Sequence, residues 1–195
     1  MHPSIAAFVS DAFYESAPRT PPAVAAQRVA ADLQGLWWLG YPEAAAESKR
    51  VGSKSYVNDI EVASVVAVLR GLAQERTGRS ILVITFYRGQ EAALRRGLAA
   101  AGLAERIGGS GDADGALRVM TVDQAQGSEA DVVVLSCVRS NEQRALGFVT
   151  NPSRMNVAIS RARERLVVVG DGATLCSDPK WNTRALLLLR RIARE

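Results

Sequence analysis

A three-layer α/β fold with a mostly parallel sheet is what this 195-residue sequence predicts, and three features carry the expectation. Short unbroken runs of Val, Ile and Leu recur along the chain, as strands buried on both faces require. Segments with apolar residues at helical spacing separate those runs. Gly, Pro and Ser mark the joins. Such alternation belongs to strands linked by crossover helices, and the length suits one domain over residues 1–195.

The elements follow in order. A helix is expected from Ser4 to Tyr14, closed by a connector with Pro18, Pro21 and Pro22. Residues 23–35 read as loosely helical, Leu36-Trp37-Trp38-Leu39 as a short strand, and 40–57 as a loop. Both tryptophans are expected in the core. Asn58 with Glu61 three residues on forms a capping-box pattern, and Val62, Val65, Val66, Leu69 and Leu72 continue it at helical spacing up to Gly78. Ile81–Ile84 is a buried strand, followed by a helix from Gln90 to Ala101 with Leu94, Leu98 and Ala101 on one face. Gly108-Gly109-Ser110-Gly111 begins a loop, after which Val119–Val122 and Val132–Leu135 are strands. A helix over 153–163 leads into the strand Leu166–Val169. A last helix runs from Thr183 to Arg194, apolar at Ala185, Leu188, Leu189 and Ile192.

Composition narrows the function classes. Hydrophobic residues make up 48% and charged residues 23%, a globular balance that excludes a disordered chain. No apolar run approaches the ~18 residues of a membrane span. Met1-His2-Pro3-Ser4 lacks the parts of a signal peptide, so no membrane partner is expected and the cytoplasm is the default location. Cys137, Cys176 and the single histidine, His2, cannot assemble a structural zinc site, and Cys137 is expected to pack as a small hydrophobe. Net charge is +4, a mild bias toward a polyanionic partner. Six arginines (139, 144, 154, 161, 163 and 165) against Glu142 and Glu164 concentrate that bias between 139 and 165.

No nucleotide-binding motif in the sequence is complete. Gly52-Ser53-Lys54-Ser55 imitates the end of a phosphate loop, but Ser stands at the lysine position and Glu47 where the first glycine belongs. Gly109–Asp114 misses G-x-G-x-x-G at its last position. Val169-Gly170-Asp171 reads as a turn after a strand. The chain therefore lacks the means to bind a nucleoside triphosphate alone, and a Rossmann-type enzyme is disfavoured.

Two segments carry a resemblance. Thr121-Val122-Asp123-Gln124-Ala125-Gln126-Gly127-Ser128-Glu129 is similar to the T-V-D-x-x-Q-G-x-E motif V of superfamily-one helicases, in the branch that includes the nonsense-mediated-decay helicase. Asn156-Val157-Ala158-Ile159-Ser160-Arg161-Ala162-Arg163 resembles their motif VI. Arg139-Ser140-Asn141, Gly147-Phe148, Met1-His2-Pro3 with Phe13-Tyr14, Asn58 to Glu61 and Ile84 to Gln90 also follow the pattern, with Phe86 in place of a usual proline. The resemblance implies a RecA-like, P-loop-NTPase-like fold and the role of a second motor domain, excised from a longer protein.

The same resemblance implies residue roles. Arg161 is the expected arginine finger, because phosphoryl transfer needs a fixed positive charge. Glu129 is placed near the nucleotide sugar, and Gln126 and Gly127 at the nucleotide-side turn. Arg163 is either a nucleotide-side charge or a packing residue. Asp123 caps the turn. Thr85, Tyr87, Arg88, Arg139, Ser140 and Asn141 form the expected single-strand track, with Tyr87 either stacking on a base or facing the core. ATP and Mg²⁺ are expected mainly on an absent first RecA-like domain, and the partners are that domain and single-stranded DNA or RNA. The rival is a non-catalytic nucleic-acid-binding or docking module, which loss of Arg161 or Glu129 would favour; both are present.

Overall fold

The apolar runs become five parallel strands in the computed structural model, which describes residues 1–14, 20–31, 35–41, 46–49, 55–75, 78–103 and 117–182. The first elements are α1 (Pro3–Phe13), α2 (Pro22–Ala31), β1 (Leu36–Leu39), β2 (Glu47–Lys49), β3 (Tyr56–Asn58) and α3 (Asp59–Glu75). They are followed by β4 (Ile81–Thr85), α4 (Arg88–Ala100), β5 (Leu117–Thr121) and β6 (Ala130–Ser136). A 3₁₀ turn over Gly147–Thr150, α5 (Pro152–Ser160), β7 (Ala162–Val169) and α6 (Gly172–Leu175) complete the described chain. The loop at Gly108–Gly111 and the helix expected over Thr183–Arg194 lie outside the described residues.

The sheet runs β1-β7-β6-β4-β5 with every neighbouring pair parallel. Its register aligns Leu39, Val169, Ser136, Thr85 and Thr121 along one carboxyl edge. Helices cover both faces, which is why the central runs are apolar at every position. Leu82, Ile84, Val133 and Leu135 enter the core under α1 and α5, with Phe8, Met155 and Trp181. Their neighbours Ile81, Val83, Val132 and Val134 enter the core under α3 and α4, with Val65, Leu69, Leu94 and Leu98. Cys137 is fully buried in the first core, where burial pushes its thiol up. This is the RecA-like layer order that the resemblance implied.

Local chemistry sets the helix starts. His2 caps α1 by accepting from the Ser4 amide, with Pro3 in the first turn. Asn151 does the same for α5 through the Arg154 amide at 3.1 Å, ahead of Pro152. Asp171, expected in a plain turn, caps α6 through the amides of Ala173 and Thr174.

Three expectations need correction. Residues 40–57 are not loop throughout, because β2 and β3 pair as an antiparallel hairpin. Three-residue strands carry no period, so only their tertiary contacts specify them. The helix expected over 153–163 stops at Ser160, and β7 begins at Ala162, four residues before its apolar run. Its polar first half, Ala162–Arg165, pairs with the start of β6, so the sheet and not the apolar pattern sets its length. Trp37 is 43% exposed on the edge strand, with the Arg165 guanidinium 5.9 Å from the ring centre, while Trp38 is half-buried.

The capping box is only half formed. Glu61 donates its amide to Asn58 Oδ1 at 3.1 Å, but the Asn58 amide donates to Gln90 Oε1 instead of the Glu61 carboxylate. That carboxylate turns inward, fully buried. It accepts from Ser136 Oγ at 2.6 Å, from the Val138 amide at 2.9 Å and from the Tyr41 hydroxyl at 3.0 Å. Burial pushes its pKa up from 4.5 to about 7, despite the donors around it. A raised folded pKa gives stability that is present below the unfolded value and lost as pH rises through the folded one. Stability, and the melting temperature with it, is therefore expected to fall as pH rises from about 4.5 to about 7, by on the order of 3 kcal/mol. Glu61→Gln should flatten the profile, and equal pH slopes in both proteins would refute the assignment.

Candidate nucleotide and nucleic-acid interface

The motif V turn leaves the carboxyl edge at β5. Gln124 organises it, its Oε1 accepting from the Thr121 amide at 2.8 Å and the Thr121 hydroxyl at 2.9 Å. Gly127 takes φ +81, a conformation that a side chain disfavours. Gln126 and Gly127 are exposed. Asp123 does not cap the turn as expected. Its two oxygens accept from Arg154 Nε and Nη2, at 2.9 and 3.0 Å. Gln124 instead ties the turn back to the end of β5 through Thr121.

Motif VI meets this turn across the sheet. Arg161 follows α5, and its backbone carbonyl accepts from the Ala130 amide at 3.1 Å. Its guanidinium donates to the Val157 carbonyl at 3.1 Å, the Ser128 carbonyl at 3.3 Å and Ser160 Oγ at 2.9 Å. All three are neutral oxygens, and no carboxylate among the described residues pairs with it. Arg163, two residues on in β7, donates to Glu129 Oε2 at 3.1 Å. The Met1 amino group also lies within reach of the charges of Arg28, Glu129 and Arg163, and burial lowers its pKa. Arg161, Arg163, Glu129, Gln126 and Gly127 thus share one edge.

The expected strand track is not assembled in the same way. Thr85 is fully buried, and its hydroxyl has no hydrogen-bond partner among the described residues. Tyr87 is 4% exposed and accepts from Arg139 Nη1 at 3.5 Å, so of its two readings the core-facing one holds. Arg139 is 5% exposed because Glu47 takes its guanidinium, Nε at 2.7 Å and Nη2 at 3.1 Å. Glu47 also accepts from the Ser140 amide at 2.8 Å and Asn141 Nδ2 at 3.0 Å. Ser140, fully buried, gives its hydroxyl to Asp171 at 3.0 Å. Of the six residues expected on the track, only Arg88 is fully exposed, and Asn141 is half-exposed. A phosphate cannot reach Arg139 or Ser140 past the carboxylates that already satisfy them.

The turn that carries these residues is strained. Val138 has φ +72, rare for a β-branched residue, and the Arg139 amide closes a three-residue turn onto the Cys137 carbonyl at 2.8 Å. Glu61 holds the Val138 amide, and Asn58 Nδ2 holds its carbonyl at 3.0 Å. Sequence reasoning missed Glu47, because a lone glutamate in a segment without period offers no signal. Gln90, fully buried, bridges Asn58 and Ser136. Phe148, also left without a role, is 57% exposed beside Tyr87. Nor is the arginine-rich stretch a bare basic face: Arg139, Arg154, Arg163 and Arg165 pair with Glu47, Asp123, Glu129 and Glu75.

Comparison with known proteins places this geometry. The AAA_12 family, described as an AAA domain, matches residues 1–173. A regulator of nonsense transcripts 1 homolog from Neurospora crassa is 32% identical over 93% of this chain, which covers 17% of that protein. The Arabidopsis thaliana homolog is likewise 32% identical over 93% of the chain and 15% of its own length. The ATP-dependent helicase NAM7 of Saccharomyces cerevisiae is 31% identical over 93% of the chain, with 19% of that protein covered. The chain therefore spans less than a fifth of these relatives. Among solved structures, the C-terminal domain of a possible DNA helicase from Lactobacillus plantarum WCFS1 matches with a TM-score of 0.51 at 19% identity. That match covers 87% of this chain and 84% of the other, and at this identity it speaks for the fold.

The Glu47 contact makes a direct prediction. Removing one member of a buried ion pair leaves the other charge uncompensated, at about 3–5 kcal/mol. Glu47→Ala should lower the stability of the chain by that amount in urea unfolding. A loss below about 1 kcal/mol would mean that the pair behaves as a solvated surface bridge.

Proposed function

This chain belongs to the AAA_12 family of AAA domains, and on that premise we propose that it is the second motor domain of an ATP-dependent helicase. In this reading a first RecA-like domain binds the nucleotide, this domain completes the site from the other side, and single-stranded nucleic acid crosses the pair. The observation that carries it is the state of Arg161. Its guanidinium rests on three neutral oxygens, whereas Arg163 beside it is paired with Glu129. A positive charge that no carboxylate among the described residues pairs with, at the edge where two motifs meet, is suited to an anion brought by another domain.

The chemistry assigned to each residue follows. ATP and its magnesium supply the phosphoryl group, held by the first domain. Among the described residues no three His, Cys, Asp or Glu side chains cluster to hold a metal. Arg161 holds a fixed planar cation toward the transferring phosphoryl, with no deprotonated form to lose it to. Arg163 and Glu129 act as a pair that braces the rim, and the Glu129 carboxylate keeps acceptor capacity for a sugar hydroxyl. Gln126 and Gly127 let backbone approach closely there. Arg88, exposed next to the carboxyl edge, meets the strand's phosphates.

Two tests follow. In the protein that joins this domain to its first motor domain, Arg161→Ala should reduce strand-stimulated ATPase by ~10³–10⁵, and Arg161→Lys should restore little. The three hydrogen bonds, at roughly 0.5–1.5 kcal/mol each, predict a stability loss of up to about 4.5 kcal/mol in the chain itself, so turnover is compared at a temperature where the variant stays folded. Near-normal turnover in the alanine variant would reduce Arg161 to a helix-end residue. The chain alone should neither bind ATP tightly nor hydrolyse it, and metal-dependent ATPase from the purified 195 residues would overturn the division of labour between domains.

A further inference from the structure

The ring that the sequence puts on the strand path lies one layer too deep. Tyr87 is 4% exposed, and the ring outside it is Phe148, 57% exposed, with centroids 5.9 Å apart. Its presentation is built into the 3₁₀ turn Gly147–Thr150. Gly147 takes φ +55, and a side chain there would meet Arg139 Nη1 at 2.5 Å and Tyr87 Oη at 3.1 Å. Leu146 and Val149 are buried on either side. With both flanking side chains in the core, position 148 is driven outward. At 57% exposure Phe148 leaves part of the about 1.5–3 kcal/mol of full phenylalanine burial unused.

Cations and further rings continue from it. The Arg154 guanidinium lies 5.0 Å from the Phe148 ring centre, fixed by its two hydrogen bonds to Asp123. On the other side Tyr87 meets Tyr56 edge-on at 5.4 Å. Tyr56, half-buried on the hairpin, carries Lys49 Nζ at 4.5 Å and the Arg139 guanidinium at 4.2 Å from its ring centre. Lys49 and Arg88 are exposed. The patch therefore alternates rings and cations, the composition that grips bases and phosphates without reading sequence.

We infer that Phe148 is the platform on which a base of a bound single strand stacks, with Arg154 bracing the ring and the exposed Lys49 and Arg88 meeting the phosphates. The inference rests on the strand-binding reading above and names the contact by which this domain performs it. An aromatic face accepts any base, so the site discriminates bases from bare backbone and not one base from another. The cations make the contact salt-sensitive.

The test compares a labelled oligothymidine with an abasic oligonucleotide of equal length, titrated against the chain by fluorescence anisotropy at low salt. The chain should prefer the oligothymidine. Phe148→Ala should lose about 5- to 150-fold in affinity for it, the range that stacking on an aromatic side chain supports, while affinity for the abasic strand stays unchanged. Phe148→Trp should restore the preference, and its emission should be quenched by oligothymidine but not by the abasic strand. If the chain binds oligothymidine salt-dependently and Phe148→Ala binds equally well, the platform is wrong and the strand reading stands. If Phe148→Trp emission ignores both strands while binding persists, the platform is again wrong. If the chain binds neither oligonucleotide, the strand reading itself fails and takes the platform with it, leaving the patch as a protein-docking surface.

Discussion

The Glu47 carboxylate, carried on a three-residue strand, accepts four hydrogen bonds from Arg139, Ser140 and Asn141, and the surface above the sheet is assembled on that contact. The turn after β6 bends through a left-handed Val138, a conformation that costs of order 1–3 kcal/mol unless its surroundings fix it. Glu61 takes the Val138 amide from one side, and Glu47 takes the next three residues from the other. Everything nearby hangs on those two acids. The hairpin is held down by Glu47 and in turn reaches α4, where Ser55 Oγ accepts from the Gly89 amide at 2.8 Å. Asn58 joins the hairpin to Gln90, and Asp171 joins α6 to Ser140. Two ionisable groups buried among donors organise the edge that a purely apolar core would leave loose.

The sheet was legible in the sequence because parallel strands covered on both faces have to be apolar throughout, and Ile81–Ile84, Val132–Leu135 and Leu166–Val169 satisfy that. The motifs at 121–129 and 156–163 were legible as well, and the fold brings them into contact through Arg161, Ser128, Arg163 and Glu129. What sequence could not give was depth. Tyr87 and Arg139 stand at positions that the motif pattern puts on a nucleic-acid path, but their burial depends on a hairpin that has no period of its own. Glu61 read as a capping partner because its spacing from Asn58 fits, yet spacing does not say which way a carboxylate turns once Ser136 and Val138 compete for it. Asp123 does not cap the turn for a similar reason: Arg154, 31 residues away, takes its carboxylate.

Charge is distributed by the same logic. A count of arginines between 139 and 165 suggests an open basic face, but the fold neutralises Arg139, Arg154, Arg163 and Arg165 with carboxylates drawn from β2, the motif V turn and α3. Pairing holds each guanidinium in one direction, as a bidentate or bridged arginine is held. Arg161 is the exception that matters for the proposed function. It is positioned by carbonyl and hydroxyl oxygens, which orient a cation without cancelling its field. Pre-organisation with the charge left available is what electrostatic stabilisation of an incoming anion requires.

Arg154 and Arg161 also lie at opposite ends of α5, seven residues and about 10 Å apart along the axis. Both are fastened to the motif V turn, Arg154 through Asp123 and Arg161 through the Ser128 carbonyl. That turn is itself closed by hydrogen bonds from Ala125 to Thr121 at 3.0 Å and from Ser128 to Ala125 at 3.1 Å, with Gln124 locking its entry. Helix and turn are thus stapled at both ends. Glu129 and Arg161, which the proposed function puts on the nucleotide side, sit at one staple, and Arg154, which covers Phe148, at the other. The two attachments give α5 and the turn one contiguous set of contacts from Arg161 to Phe148, along which a displacement at one end can be carried to the other. Under the proposed function, a domain that must convert the state of a nucleotide into movement of a strand has its connection here, through α5 and the turn beside it.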